Sequence, residues 1–192
     1  MVHPLILFRK WLEEAEQKSG MDYPNAAVLS TVDEKGIPDG RVILIKEIDS
    51  DGVVFYTNYD SKKGHQLEKN PHAALTIYWD RLFKQVRMRG RVTKVEPERS
   101  DFYFSTRPRC SRIGAWASRQ SRPLSDYDEL MERYRQYEKQ FEGKDVPRPP
   151  YWGGYKLIPF EVEFWIGRDC RLHERYLYVL KDGQWEIQML NP

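Results

Sequence analysis

Between Tyr103 and Ser121 the chain reads Y-F-S-T-R-P-R-C-S-R-I-G-A-W-A-S-R-Q-S, with four arginines (Arg107, Arg109, Arg112, Arg119) and no acidic residue. Tyr103, Ser105, Thr106, Ser111, Ser118, Gln120 and Ser121 thread hydroxyls and one amide between those cations. Guanidinium forks beside hydroxyl donors suit the non-bridging oxygens of a phosphate monoester. A solvated surface helix mixes both signs of charge. A one-sign run that also carries Phe104, Ile113 and Trp116 therefore reads as an anion site on a packed platform, with a plain basic surface as the bland alternative.

Other cations fall into separate sets. In S-K-K-G-H-Q, Ser61 is a candidate N-cap, which puts Lys62 and Lys63 in a first helical turn. Lysines are unfavourable at the positive end of a helix dipole unless an anion sits there, so this is a second candidate phosphate site. His65 in the same segment reads as an ordinary polar helix residue. The run R-V-I-L-I-K, Arg41 to Lys46, is β-rich with a cation at each end. Alternation puts Arg41, Ile43 and Ile45 on one face and Val42, Leu44 and Lys46 on the other, so one cation points inward unless both simply reach water. A bound anion would compensate an inward one. Gln85 shares a strand face with Arg87, Arg89 and Arg91 and is placed to meet the amide edge of a heterocycle. Arg171 and His173 share a late loop, R-D-C-R-L-H-E-R.

These sets must be held by a fold. A chain of 192 residues is enough for one ordinary domain with a sizeable core. A formal charge of +2 does not mark a general nucleic-acid binder, and the two cysteines, Cys110 and Cys170, have no metal-site spacing. No run is long enough for a membrane span or a signal peptide, which makes a cytosolic protein the default expectation. Helical periodicity predicts a helix over Pro4–Ser19 ended by Gly20. A second is expected to run from Pro97 into the Tyr103–Ser121 stretch, and a third over Ser125–Phe141, capped by Ser125 and Asp128. Strands are expected at Ala26–Val32, 41–46, 53–58, His72–Trp79, 82–95 and 157–166. In the last of these Phe160, Val162, Phe164 and Ile166 form the apolar face, and a final hairpin turns at Asp182-Gly183. P-R-P-P-Y-W-G-G-Y is expected to be loop, made permissive by Gly153-Gly154. Strands joined mostly by short turns, without a βαβ period, imply an antiparallel barrel with flanking helices.

The sequence lacks a Walker-type loop, G-x-G-x-x-G and a nucleophile elbow. What remains suits a protein that holds a phosphorylated organic molecule and leaves the difficult step to a cofactor.

R-V-I-L-I-K, F-Y-T-N-Y-D-S-K-K-G-H-Q, S-T-R-P-R-C-S-R-I-G-A-W-A-S-R-Q-S, P-Y-W-G-G-Y, V-E-F-W and R-L-H-E-R occur in that order. Through these motifs the whole chain resembles the pyridoxine/pyridoxamine 5′-phosphate oxidases, flavoproteins of the split-barrel fold. The resemblance implies a mainly β fold with flanking helices: one FMN-binding split-barrel domain over 1–192, an antiparallel Greek-key barrel. It implies FMN-binding positions at Arg41, Val42, Ile43, Leu44, Ile45, Lys46, Tyr56, Thr57, Lys62, Lys63, Gln85, Gln120, Ser121, Trp165 and Arg175. The substrate phosphate falls to Lys46, Tyr103, Arg107 and Ser111. Arg171, Leu172 and His173 fall at the substrate's pyridine end, with Arg171 and His173 in the catalytic positions.

The implied reaction takes a hydride equivalent from the substrate C4′ to FMN. Dioxygen then accepts the electrons as hydrogen peroxide, and pyridoxal 5′-phosphate is the product. Family members are homodimers with FMN sites between subunits, so these residues need not meet within one chain. Neither nucleic acid, membrane nor metal is implied as a partner. Longer members carry an N-terminal segment with Arg and Tyr that closes over the substrate. This sequence starts just before the first helix, which implies weaker closure. Lys62 stands where the family often has arginine.

The competing readings are an FMN-dependent oxidase of another aromatic metabolite, as in phenazine biosynthesis, and a non-catalytic carrier of flavin or pyridoxal phosphate. RNA binding through 81–122 is a third, but the aromatics there follow buried patterns and not an exposed stacking platform.

Overall fold

The computed structural model describes residues 2–192. Helix α1 (Pro4–Lys18) starts with His3 Nδ1 accepting the Leu5 N–H, and the chain leaves it through Gly20 at φ 64°. The 3.6-residue stripe of Leu5, Phe8, Trp11, Leu12 and Ala15 is buried against the sheet. Each large side chain in it contributes roughly 1.5–3 kcal/mol.

Nine strands follow: β1 (Ala26–Val32), β2 (Pro38–Leu44), β3 (Glu47–Ile48), β4 (Val53–Asn58), β5 (His72–Trp79), β6 (Lys84–Lys94), β7 (Trp152–Ile166), β8 (Glu174–Lys181) and β9 (Gln184–Leu190). All pairings are antiparallel, in the order β2-β1-β5-β6-β7-β4-β3, with β8 and β9 added along the second half of β7. Only Ile45 and Lys46 separate β2 from β3, and the Lys46 N–H donates to the Val54 carbonyl at 2.8 Å. The path thus curls back toward its start, and the sheet forms a curled half-barrel. Its interior holds Leu29, Phe55, Leu75, Ile77, Trp79, Met88, Leu157 and Phe164. Helices α2 (Lys62–Lys69), α3 (Pro97–Thr106), α4 (Arg109–Ala117) and α5 (Tyr127–Gln140) flank it, and Phe104, Ile113, Phe141, Val146 and Trp152 form a second, smaller core.

Four expectations need correction. The helix from Pro97 does not run through: Pro108 forces Arg107 into an extended conformation (ψ 147°), separating α3 from α4. The α5 cap is Asp126, whose carboxylate accepts the Glu129 N–H at 2.8 Å, while Glu129 reaches back to Ser125. Gly153 and Gly154 lie in β7 and not in a loop, paired with Thr57 and Tyr56. A Cβ on Gly154 would lie 2.6 Å from Val95 and 2.8 Å from Tyr56, so this position is glycine for close packing. Finally, a bulge opposite Arg89/Gly90 leaves Phe160 unpaired. The inward phase of β7 flips there, so Leu157 and Val162 both face the core and Phe160 is exposed.

Candidate functional site

The end of β2, β4, the start of α2, the α3–α4 junction and Trp152 enclose one cavity of about 940 Å³. It brings together Arg41, Val42, Ile43, Leu44, Lys46, Tyr56, Thr57, Lys62, Lys63, Tyr103, Arg107, Gln120 and Ser121 from the sequence reading. Ile45 is buried behind the wall, and Ser111 sits in the first turn of α4 without lining the cavity.

One corner is cationic. Ser61 caps α2 by accepting the Gly64 N–H, as its spacing implied. Lys63 is buried and donates from Nζ to Gln120 Oε1 (2.9 Å) and Thr57 Oγ1 (3.1 Å). Burial, and then the nearby Arg41 charge, push its ammonium down to about 8. Arg41 shares the inward face with Ile43 and Ile45, as alternation predicted. Its compensation is internal: the guanidinium donates to Thr31 Oγ1, the Leu29 carbonyl and Gln66 Oε1, and lies 3.0 Å from Asp39. Asp39 also holds Lys62 at 2.9 Å. Lys62, and then Arg41, keep its carboxyl below the usual range. The sequence reading missed Asp39, the cavity's only acid.

The opposite wall is aromatic. Tyr56 and Tyr103 stack with centroids 3.9 Å apart at 10°, and Trp152 lies parallel to both. The Arg107 guanidinium covers the Trp152 ring at 4.6 Å. Burial lowers the affinity of Arg107 for its proton, and Nη1 is buried with no hydrogen-bond partner. A buried, orphaned guanidinium donor on a cavity wall is costly, and an anion in the cavity would satisfy it. Trp152 was also missed. Its signal was the bulky aromatic directly before Gly153-Gly154.

The remaining expected residues lie elsewhere. Gln85 pairs with Trp165 across β6–β7, and Trp165 with Arg175 across β7–β8. His173 packs on Trp165 at 4.6 Å, its Nδ1 accepting the Arg168 N–H. Arg175 donates to the buried Glu163 at 2.8 Å, and Arg87 approaches the same carboxylate. Cys170 and Arg171 both have positive φ (55° and 60°), so the loop stores backbone strain. Arg171 and Leu172 are exposed, and the Glu174 carboxylate goes to Arg168, not Arg171. Within one chain this second set lines no part of the cavity. On the same outer sheet face Val28, Val42 and Tyr78 are exposed. Cys110 and Cys170 are both free and exposed.

Residues 13–163 match the family model described as pyridoxamine 5′-phosphate oxidase. The chain belongs to that family. Residues 152–192 match the model of the pyridoxine 5′-phosphate oxidase C-terminal dimerisation region, which supports a homodimer built on β7–β9. A pyridoxine/pyridoxamine 5′-phosphate oxidase from Synechocystis is 50% identical over 99% of this chain and 88% of its own length. One from Cupriavidus taiwanensis is 49% identical over 98% and 89%. Among solved structures, PhzG from Burkholderia lata, in complex with tetrahydrophenazine-1-carboxylic acid, superposes with a TM-score of 0.93 at 31% identity, covering 99% of this chain and 93% of that one. A pyridoxamine 5′-phosphate oxidase-related, FMN binding protein from Nostoc punctiforme shares the fold, with a TM-score of 0.77 at 18% identity over the full length of both. Among the described residues no helix is long and apolar enough to cross a membrane.

Proposed function

We propose that this chain is an FMN-dependent oxidase of pyridoxamine 5′-phosphate and pyridoxine 5′-phosphate. The observation that carries the reading is the orphaned Arg107 Nη1 on the wall of the cavity that also holds Arg41, Lys62 and Lys63. Two cationic positions in one cavity suit two phosphate groups, each close to a dianion at neutral pH.

The donor set fits FMN. Lys62, Lys63, Arg41, Thr57, Gln120 and Ser121 supply charge and hydrogen-bond donors for its phosphate and polar edges, and the 42–45 strand and Tyr56 supply an apolar wall. FMN, when bound, supplies the two-electron acceptor and passes the electrons to dioxygen. Lys46, Tyr103 and Arg107, with Ser111 at the start of α4, hold the substrate phosphate. Arg171, Leu172 and His173, with Gln85, Trp165 and Arg175, complete the site from the partner subunit. There Arg171 and His173 orient the substrate's reacting carbon. The net change for the amine is R–CH2–NH3⁺ + O2 + H2O to R–CHO + NH4⁺ + H2O2; the alcohol gives aldehyde and peroxide without ammonium.

Purified protein is expected to show flavin absorption bands and to consume dioxygen with pyridoxamine 5′-phosphate, giving peroxide and pyridoxal 5′-phosphate in equal amounts. Flavin-loaded protein that leaves both phosphorylated substrates untouched would overturn the reading. Turnover of an unphosphorylated tricyclic aromatic instead would favour the PhzG-like one.

A further inference from the structure

Helix α3 carries Tyr103 and ends at Arg107, yet it buries only Ser100 and Phe104, so packing alone fixes its rotation weakly. A polar clamp does more. Arg99 Nε donates to Glu47 Oε2 at 3.0 Å, and its two terminal nitrogens donate to the two Asp49 oxygens at 2.7 Å each. Glu47 Oε1 accepts the Tyr56 hydroxyl at 2.5 Å. Four residues after Arg99, on the same helix face, Tyr103 stacks on that same Tyr56. Ser100, the residue after Arg99, accepts the Gly154 N–H at 3.0 Å.

Two successive turns of α3 therefore grip one tyrosine, the first through an ion pair and the second through a ring. Arg107 follows one turn later, over Trp152, which stacks parallel to Tyr56 and Tyr103. Asp49 is itself braced by Lys156 at 3.3 Å. None of Arg99, Glu47 and Asp49 lines the cavity, so they act on a ligand through their neighbours there: the Tyr56–Tyr103 ring stack, and Lys46 next to Glu47 in the chain. A planar fork that spans two carboxylates resists rotation in a way a single lysine contact does not.

We propose that Arg99, held by Glu47 and Asp49, is a positioning residue for the phosphate end of the cavity, fixing the rotation of α3 and through it the aim of Tyr103 and Arg107. The proposal rests on the oxidase reading for its substrate but not for its geometry. Residues linked in one network couple non-additively, and that property separates positioning from general support.

The test uses the flavin-loaded protein and the variants Arg99→Met, Arg99→Lys, Glu47→Gln and Arg107→Ala, with Arg99→Met also placed in the Arg107→Ala background. Arg99→Met is expected to raise both the KM for pyridoxamine 5′-phosphate and the inhibition constant of inorganic phosphate about tenfold, while kcat and FMN affinity change less than about twofold. Arg99→Lys should recover part of the loss. Glu47→Gln, which keeps an acceptor for Tyr56, should shift the same constants in the same direction. In the Arg107→Ala background Arg99→Met should add clearly less than its tenfold, only the share that acts through Tyr103. Additive losses there, or equal losses in kcat and flavin affinity, would overturn the proposal. If Arg99→Met fails to fold, Glu47→Gln alone and with Arg107→Ala decides by the same comparison. If the wild-type protein oxidises neither substrate, only the oxidase reading fails. Equilibrium binding of inorganic phosphate and pyridoxal 5′-phosphate, followed by tryptophan fluorescence, then reads the same non-additivity.

Discussion

The guanidinium of Arg107 sits over the indole of Trp152, Cζ 4.6 Å from the ring centroid, and keeps Nη1 buried without a partner. The ring holds the fork in place while one of its donors waits for an acceptor. This is pre-organisation: the desolvation of Nη1 has been met in folding, so a phosphate finds that donor already dry.

Replacing Arg107 with alanine should therefore weaken substrate binding about 10- to 100-fold, because a charge-assisted hydrogen bond contributes about 1.5–3 kcal/mol. Flavin content should stay near normal, since the cationic corner at Lys62 and Lys63 is untouched. Arg107→Lys should recover little, because an ammonium offers no planar fork. Flavin absorbance and the two steady-state constants check this. A variant that loses flavin but keeps its KM would refute the assignment.

Lys63 gives a pH dependence whose sign can be worked out. Its ammonium is depressed to about 8 in the folded protein, against an ordinary value of 10.5. Between those values the unfolded chain binds more protons, so the cofactor-free protein should gain stability as pH rises from about 8 to about 10.5. Flavin binding should run the other way. An anionic phosphate favours the charged lysine, so affinity should be flat below about pH 8 and fall by up to about tenfold per unit above it. Flavin fluorescence titrations from pH 6.5 to 9.5 and thermal melts of the cofactor-free protein read the two trends. Lys63→Met should flatten both, and an unchanged wild-type affinity across that range would remove Lys63 from the anion site.

Much of this site was legible because its signals are local. Ser61 ahead of two lysines is a cap followed by a first turn, and the structure forms that cap. Alternation grouped Arg41 with Ile43 and Ile45 but left open which cation turns inward, and the structure turns that face toward the core. What stayed hidden depends on pairing between distant strands. Trp152 joins the wall only because Tyr56 pairs with Gly154, and Asp39 matters only because β2 lays it beside α2. The inward phase of β7 was misread because a bulge leaves no mark in the alternation of β7 itself. The break at Arg107, by contrast, was readable from Pro108, since the residue before a proline avoids helical geometry. That break turns Arg107 out of the α3 ladder and into the cavity wall.

Gly154 is a position where a single methyl group should be felt. Its Cβ would fall 2.6 Å from Val95 Cγ2 and 2.8 Å from Tyr56 Cε1, with β4 paired on one side and the Val95 N–H hydrogen-bonded to the Gly154 carbonyl on the other. Gly154→Ala should cost about 1–3 kcal/mol of stability by overpacking. It should also weaken flavin and substrate binding together, because Tyr56 has to shift in its stack. Denaturant unfolding and the two binding constants measure this. A variant as stable as the parent would mean that β7 relaxes away from the tyrosine.

The separation of Arg171 and His173 from the cavity of their own chain gives the sharpest test of a shared site. With Gln85, Trp165 and Arg175 they sit at the β6–β7–β8 end, beside exposed Tyr78, and Trp165 to Arg175 fall within the region matched by the dimerisation model. On the proposed reading, each site of a twofold dimer would take its phosphate ligands from one subunit and its Arg171 and His173 from the other. Homodimers of Arg107→Ala and of His173→Ala should both be impaired, the first mainly in KM and the second mainly in kcat. Mixing and re-equilibrating the two should restore activity. Random pairing makes about half the dimers mixed, each with one intact and one doubly defective site, so about a quarter of the parent rate should return. If both positions acted within one chain, every site in the mixture would carry a single defect and nothing would be regained. A mixture that shows subunit exchange but no recovery would therefore place both functions in the same subunit.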